Sequence, residues 1–305
     1  RTAFAATGLA LAGETATQVE RSLDGWAANW KAEQAASCAA TRIHGTQSAP
    51  MLDRRTVCLG QQRSEVAALV DVFAGADADV LTRAGDALRE LPELGKCSIA
   101  ALDAQAAPAV DLGDREAIEA GYASLGQARV ALNVGRTGDA TALAWRARTV
   151  GGALEHVPLA LEARAVLARV AILRGELEAG LELLREVVIA AHQARLFDLA
   201  AGLRVELARA AAGRLADPRL ERWSIDEAQL ALERLARPDD LRVVRLLTAR
   251  GRFAAQDGDL DAALAAHREA HALAEGRLDD RAQVALLRVG IGTALYGLGK
   301  LKEAR

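Results

Sequence analysis

The chain has 305 residues, 51% hydrophobic and 26% charged but only 3% aromatic, with a formal net charge of −3. A near-neutral chain of this size carries no global field that selects nucleic acid or an anionic membrane. No apolar run reaches the roughly 18–20 residues that a bilayer span needs. The opening stretch 3–12 is too short, stops before Glu14 and has no basic leader beyond Arg1. With so few aromatics the core must be built from Ala, Leu and Val, and the Ala/Leu/Glu/Arg runs predict an all-helical protein.

In chain order, helices are expected at about 14–40, 51–74 and 77–92, with a loop at 44–50 and a stop at Pro92 and Gly95. A polar connector at 103–113 follows, and beyond it a phrase recurs. It reads TGDATALA (137–144), RGELEAGL (174–181), DGDLDAAL (257–264) and LGKLKEAR (298–305), anchored on Gly138, Gly175, Gly258 and Gly299. Gly213 is a weaker member, and the successive spacings are 37, 38, 45 and 41 residues. Glycine reaches the left-handed conformation that ends a helix, and an Asp or Glu after it favours the start of the next. The unit is therefore helix, tight turn, helix. In the third unit Glu206 stands where the others have a small residue, and 214–223 reads as an insertion. Ser224 with Glu227 forms a capping box that predicts a fresh helix start after it. The phrase at 298–305 breaks off in mid-pattern, so the chain is expected to be a fragment of something longer.

Small residues flank these turns at fixed offsets: Gly292 and Ala304, Gly251 and Ala263, Ala168 and Gly180. The pattern resembles the tetratricopeptide repeat, although Leu247 and Arg288 stand where that repeat often has a large aromatic. The resemblance implies a right-handed α-solenoid with repeats over 113–305, the last truncated, behind a helical cap over 1–112. It also implies a concave face lined by the first helix of each hairpin. Arg129, Arg169, Arg245 and Arg252 fall on that face by register. Because arginine pairs bidentately with carboxylates, they are candidates for binding an acidic peptide or C-terminus. The alternative is a solvated face of internal ion pairs. Trp145 and Trp223 are expected to pack rather than to serve as ligand platforms.

A second resemblance lies upstream. Trp26, Trp30, Cys38, Ala39, Thr41, Gly45, Gln47, Ser48, Arg55, Cys58, Leu59, Leu94 and Cys97, followed by repeats, resemble the region after the membrane helix in bacterial receptor-type serine/threonine protein kinases. In that family the kinase domain comes first and the repeats lie across the membrane. The chain itself has no Gly-rich ATP loop, no His-Arg-Asp loop and no Asp-Phe-Gly, and GIGTALYG (290–297) belongs to a repeat helix. The resemblance implies a non-catalytic sensing or interaction module on the extracytoplasmic side, tethered by an upstream transmembrane helix. The other reading is a cytoplasmic scaffold or regulator that binds a peptide partner. Neither requires a cofactor, and the expected partner is a protein or peptide, not nucleic acid.

The cysteine spacings of 20 and 39 residues do not suit zinc, which uses pairs two to four residues apart, and no CxxC redox motif is present. A Cys38–Cys58 disulfide across the 44–50 turn fits a helical hairpin; two buried free thiols are the alternative. Cys97 would then need a partner upstream of residue 1. His267 and His271 sit one turn apart, but no third ligand is evident, so no metal is expected. Ser48, His44 and Asp53 lack a nucleophile-elbow pattern, and no catalytic residue is assigned.

Overall fold

In a computed structural model, residues 1–103, 114–212, 214, 218–235, 242–275 and 281–303 are described, and every regular element among them is helical. The chain divides into two compact units: residues 1–180 with 194–196, and residues 181–193 with 197–305. The expected boundary at 112/113 and most of the connector lie outside the described residues, as does Gly213. Among the described helices, none is long and apolar enough to cross a membrane.

The first unit opens with α1 (Thr2–Ala6), α2 (Ala12–Arg42), α3 (Ala49–Ala74) and α4 (Ala78–Arg89). The α2–α3 turn passes through Gly45, whose φ of +62° suits glycine. Ser48 then starts α3: its hydroxyl accepts the Met51 N–H at 3.3 Å, and Pro50 occupies the first turn. Asp77 caps α4 in the same way through the Val80 N–H. Next come a 3-10 turn (Leu94–Cys97), α5 (Ile99–Asp103), α6 (Arg115–Asn133), α7 (Thr137–Ala153) and α8 (Val157–Leu173). Phe4, Leu69, Phe73, Leu81 and Ala84 share one core with Val130 and Val134 of α6 and its end. A second core joins α6, α7 and α8 through Leu125, Ala128, Ala144, Leu159 and Val166. Alanine on the facing surfaces lets these helices approach closely. At Gly151, an added Cβ would lie only 2.7 Å from the backbone nitrogen of Ala160.

Helix α9 (Leu177–Gln193) carries the chain from one unit into the other. The second unit holds α10 (Phe197–Ala211), α11 (Pro218–Leu235), α12 (Arg242–Gln256), α13 (Leu260–Ala274) and α14 (Arg281–Gly297). Ala201, Val205, Ile225, Ala228 and Leu246 form its first core, and Val244, Leu247, Ala270 and Leu287 its second. Two expectations fail here. Helix α11 begins at Pro218 and runs through Ser224 without a break, since proline is well suited to a first helical position. Ser224 sits inside that helix and donates its hydroxyl to the Leu220 carbonyl, while Glu227 faces Arg204 at 3.7 Å. No capping box forms.

The repeat register also needs correction at its first member. Gly138 lies within α7; the left-handed turn residue is Gly135, with φ +81°. Gly175, Gly258 and Gly299 take φ of +89°, +83° and +73° as expected. Counted from Gly135, the first spacing is 40 residues.

Candidate interaction surface

A buried polar lattice in the first unit gathers many of the residues that carry the kinase-receptor resemblance. Trp26 donates its indole N–H to the Pro92 carbonyl, and Trp30 donates to Leu59, both at 2.9 Å. Arg55 donates to the Cys97 carbonyl at 3.0 Å, to Gln47 at 3.0 Å and to Glu33 at 2.8 Å. Gln47 donates in turn to Ser37 and Thr41, and Gln62 donates to the Glu93 carbonyl. Segment 92–97 has little regular backbone pairing of its own, so these side chains supply what burial would otherwise leave unmet. The set acts as a structural lock.

The disulfide belongs to that lock, and it is not the expected one. Cys58 bonds Cys97, with the Cα atoms 5.7 Å apart, while Cys38 is an exposed free thiol. The cause is helical phase. Near its C-terminal end α2 buries Ser37, and one residue further along, about 100° of rotation turns Cys38 outward. Cys97 is 1% exposed against α3 and needs no upstream partner.

The imagined triad does not assemble. Ser48 is occupied as a helix cap, and His44 and Asp53 are exposed, with no hydrogen bond joining any two of the three. No group of three potential metal ligands occurs among the described residues. His271 accepts from Arg288 Nε at 3.1 Å. His267 is buried between two helices instead: a Cβ on Gly251 would lie 2.6 Å from its ring, and one on Gly290 would lie 3.0 Å away. Burial, reinforced by the charge of Arg252, pushes its pKa below the ordinary histidine value, and its Nδ1 has no hydrogen-bond partner. Trp145 and Trp223 are not packing residues, being 49% and 51% exposed; the Arg148 guanidinium lies over the Trp145 ring at 4.4 Å.

Counting back from the left-handed glycines orders the arginines. Six residues before Gly135, Gly175, Gly258 and Gly299 stand Arg129, Arg169, Arg252 and Thr293; thirteen before stand Tyr122, Glu162, Arg245 and Leu286. Arg129 is not available to a ligand. It pairs with Glu65 of α3 at 3.0 Å and with Glu162 of α8, closing a three-helix clamp. Burial opposes its charge, but the two carboxylates outweigh that and hold its pKa above the ordinary arginine value. Beside it, burial pushes the Tyr122 phenol well up, and Glu162 adds to the effect. Arg169 faces Glu90 at 3.8 Å. Arg245 is half-buried and also engaged. Arg252 differs. It is exposed and donates Nη2 to the Arg209 carbonyl at 3.0 Å. Burial of its stem and the like charge of Arg214 depress its pKa, with Glu221 opposing them.

One face of α14, the last of the described helices, is apolar. Leu286, Val289 and Tyr296 are 56%, 64% and 71% exposed, and the helix has no acidic residue along its length. The sequence signal for this face was the run of Leu, Val, Thr and Tyr at helical spacing (286, 289, 293, 296), which reads as core until the buried side is seen to be the opposite one.

No protein-family model matches the chain, and no curated protein matches it. Among solved structures, it is similar to the crystal structure of BtubC (BKLC) from P. vanneervenii, with a TM-score of 0.54 at 19% identity over 63% of this chain and 80% of that one. At this identity the likeness is one of fold alone: an all-helical protein whose successive helices pack in chain order.

Proposed function

We propose that the chain is a non-catalytic interaction module, a tetratricopeptide-type solenoid that recognises a protein or peptide partner. The observation that carries this reading is the run of helices packed in chain order, with Gly135, Gly175, Gly258 and Gly299 in the left-handed conformation at the turns. Stacked helical hairpins of this kind suit recognition of an extended segment or a helix in a groove. Selection of a random displayed-peptide library against the folded chain tests the reading. A consensus sequence that binds saturably, and does not bind the heat-unfolded chain, is expected; no enrichment would overturn it.

The kinase-receptor resemblance supports a location outside the cytoplasm, with the module as the sensing half of a transmembrane serine/threonine kinase. The Cys58–Cys97 disulfide supports that location, because structural disulfides persist in oxidising compartments. Intact mass with and without alkylation, on protein from its native host under non-reducing conditions, is the test. One free thiol is expected. Three free thiols would move the second reading, a cytoplasmic scaffold, into first place; the exposed thiol of Cys38 is the observation that favours it.

A further inference from the structure

We infer that His156 is a pH-sensitive latch: its neutral imidazole closes the first turn of α8 onto α6 and α7, and its protonated form releases that turn. The latch goes beyond the interaction reading above and does not depend on which partner is bound.

Helix α8 is capped by a different chemistry from its neighbours. Helices α3, α4 and α13 are capped by side-chain oxygens, from Ser48, Asp77 and Asp259. In α8 the cap is a ring nitrogen: His156 Nδ1 accepts the Leu159 N–H at 3.3 Å. The Val157 N–H bonds the Glu155 carbonyl, Pro158 has no N–H, and the Ala160 N–H bonds the His156 carbonyl. Leu159 is fully buried, so its N–H finds no water if the cap is lost. A neutral imidazole accepts at Nδ1 only as the Nε2–H tautomer, and a protonated one donates from both nitrogens. One proton therefore turns the acceptor into a donor that faces another donor.

The cap holds a three-helix junction shut. An added Cβ on Gly121 of α6 would lie 2.6 Å from Leu159 Cδ2, and one on Gly151 of α7 would lie 2.7 Å from the Ala160 nitrogen. The His156 N–H bonds the Gly151 carbonyl at 2.8 Å. Its ring meets Tyr122 of α6 edge-on, with the centroids 5.7 Å apart. The chain enters the cap through Glu155 at φ +51°, which a residue with a side chain adopts under strain. Closure is tight on two sides and depends on one nitrogen.

The surroundings favour the neutral, closed form. His156 is 7% exposed. Burial lowers its pKa below the ordinary histidine value, while its own backbone and Glu162 oppose that. Glu162 of α8 attracts the proton, but it is paired with Arg129. From α6, Tyr122 is a neutral phenol whose pKa burial pushes well up. From α7 comes backbone, the Gly151 carbonyl. The positive end of α8 repels an imidazolium. In the released turn the imidazole meets water and ionises at about pH 6.5. Closure is therefore intact above that value and weakens as pH falls below it.

Residue-resolved amide hydrogen exchange on the full chain, at pH 7.5 and 5.0 and corrected for the intrinsic rate, tests the latch. Protection of the Leu159 N–H should drop by about tenfold at the lower pH. The Met51 and Val80 N–H groups, capped by Ser48 and Asp77, should keep theirs. His156→Asn offers an uncharged oxygen to the same N–H and should hold protection at both pH values. His156→Leu should lose it at both. Nitrogen chemical shifts of the isotope-labelled ring need no variant: the Nε2–H tautomer is expected at pH 7.5, and the Nδ1–H tautomer would overturn the inference. So would unchanged Leu159 protection at pH 5.0, an equal drop at Met51 and Val80, or a drop of the same size in His156→Asn.

Discussion

Arg129 in the first unit and Arg252 in the second stand at the same distance from a turn glycine and serve opposite ends. Arg129 is shared by three helices and spends its charge on two carboxylates, one 64 residues away and one 33. Arg252 lends a hydrogen bond to a carbonyl and keeps its charge near the surface. The crossings differ in parallel. In the first unit Gly151 leaves the backbone of Ala160 so close that a Cβ cannot enter; in the second, Gly251 leaves space that a histidine ring fills. One architecture of small residues and a fixed arginine thus yields a closed clamp in one place and an open cation in the other. The difference lies in which neighbouring helix supplies an acid.

The comparison breaks most sharply at the disulfide, since all three cysteines, and hence the only cross-link, lie in the first unit. A bond closing 39 residues is worth about 4 kcal/mol in the chain-entropy account. Cys58→Ala should lower the first unit's urea midpoint accordingly, as followed by Trp26 and Trp30. Trp223 fluorescence, in the second unit, should hold its midpoint. Arg129→Leu comes next. It strands two partly buried carboxylates and should cost about 3 kcal/mol, whereas Arg252→Leu should stay within about 0.5 kcal/mol. Equal effects would dissolve the contrast between clamp and open cation. Gly151→Ala should then cost about 2 kcal/mol by overpacking against backbone. Gly251→Ala should cost somewhat less, and His267→Ala should relieve it, with a coupling of about 1 kcal/mol in the double-mutant cycle.

The smallest effect is with pH. His267 in the second unit and His156 in the first have pKa values lowered in the fold, burial being the leading cause for both. The unfolded chain then binds protons more readily, so stability is intact above the unfolded value of about 6.5 and falls as pH drops below it. Between pH 7.5 and 5.5 the second unit should lose about 1 kcal/mol or less, read from Trp223. His267→Leu should flatten that slope; an unchanged slope would place the sensitivity elsewhere.

Much of the architecture was legible beforehand, because helix formers, caps and glycine stops act locally. Helices α2, α3 and α4 fall within a few residues of their expected bounds. Three of the turn glycines fall where the phrase predicts; Gly138 gives way to Gly135 because both precede a polar residue and only backbone torsion separates them. The false restart at Ser224 came from a capping pattern that Pro218, six residues earlier, had made unnecessary. The disulfide was misread because Cys97 sits in a 3-10 turn, with no helical face to count from, while Cys38 misses the buried side by one step. The arginine positions were readable from register. Their roles were not, since the matching acids Glu65, Glu90 and Glu162 come from other helices, where no local pattern announces them.

Two turns that return each hairpin to the next were invisible for a related reason. They pass through Glu155 and Arg195, at φ of +51° and +58°, with a side chain where glycine would be at ease. Each carries roughly 1 kcal/mol of backbone strain. Selection has therefore left two easy improvements unmade. A protein engineer could raise the melting temperature by placing glycine at both positions, without touching the core or any surface assigned to binding.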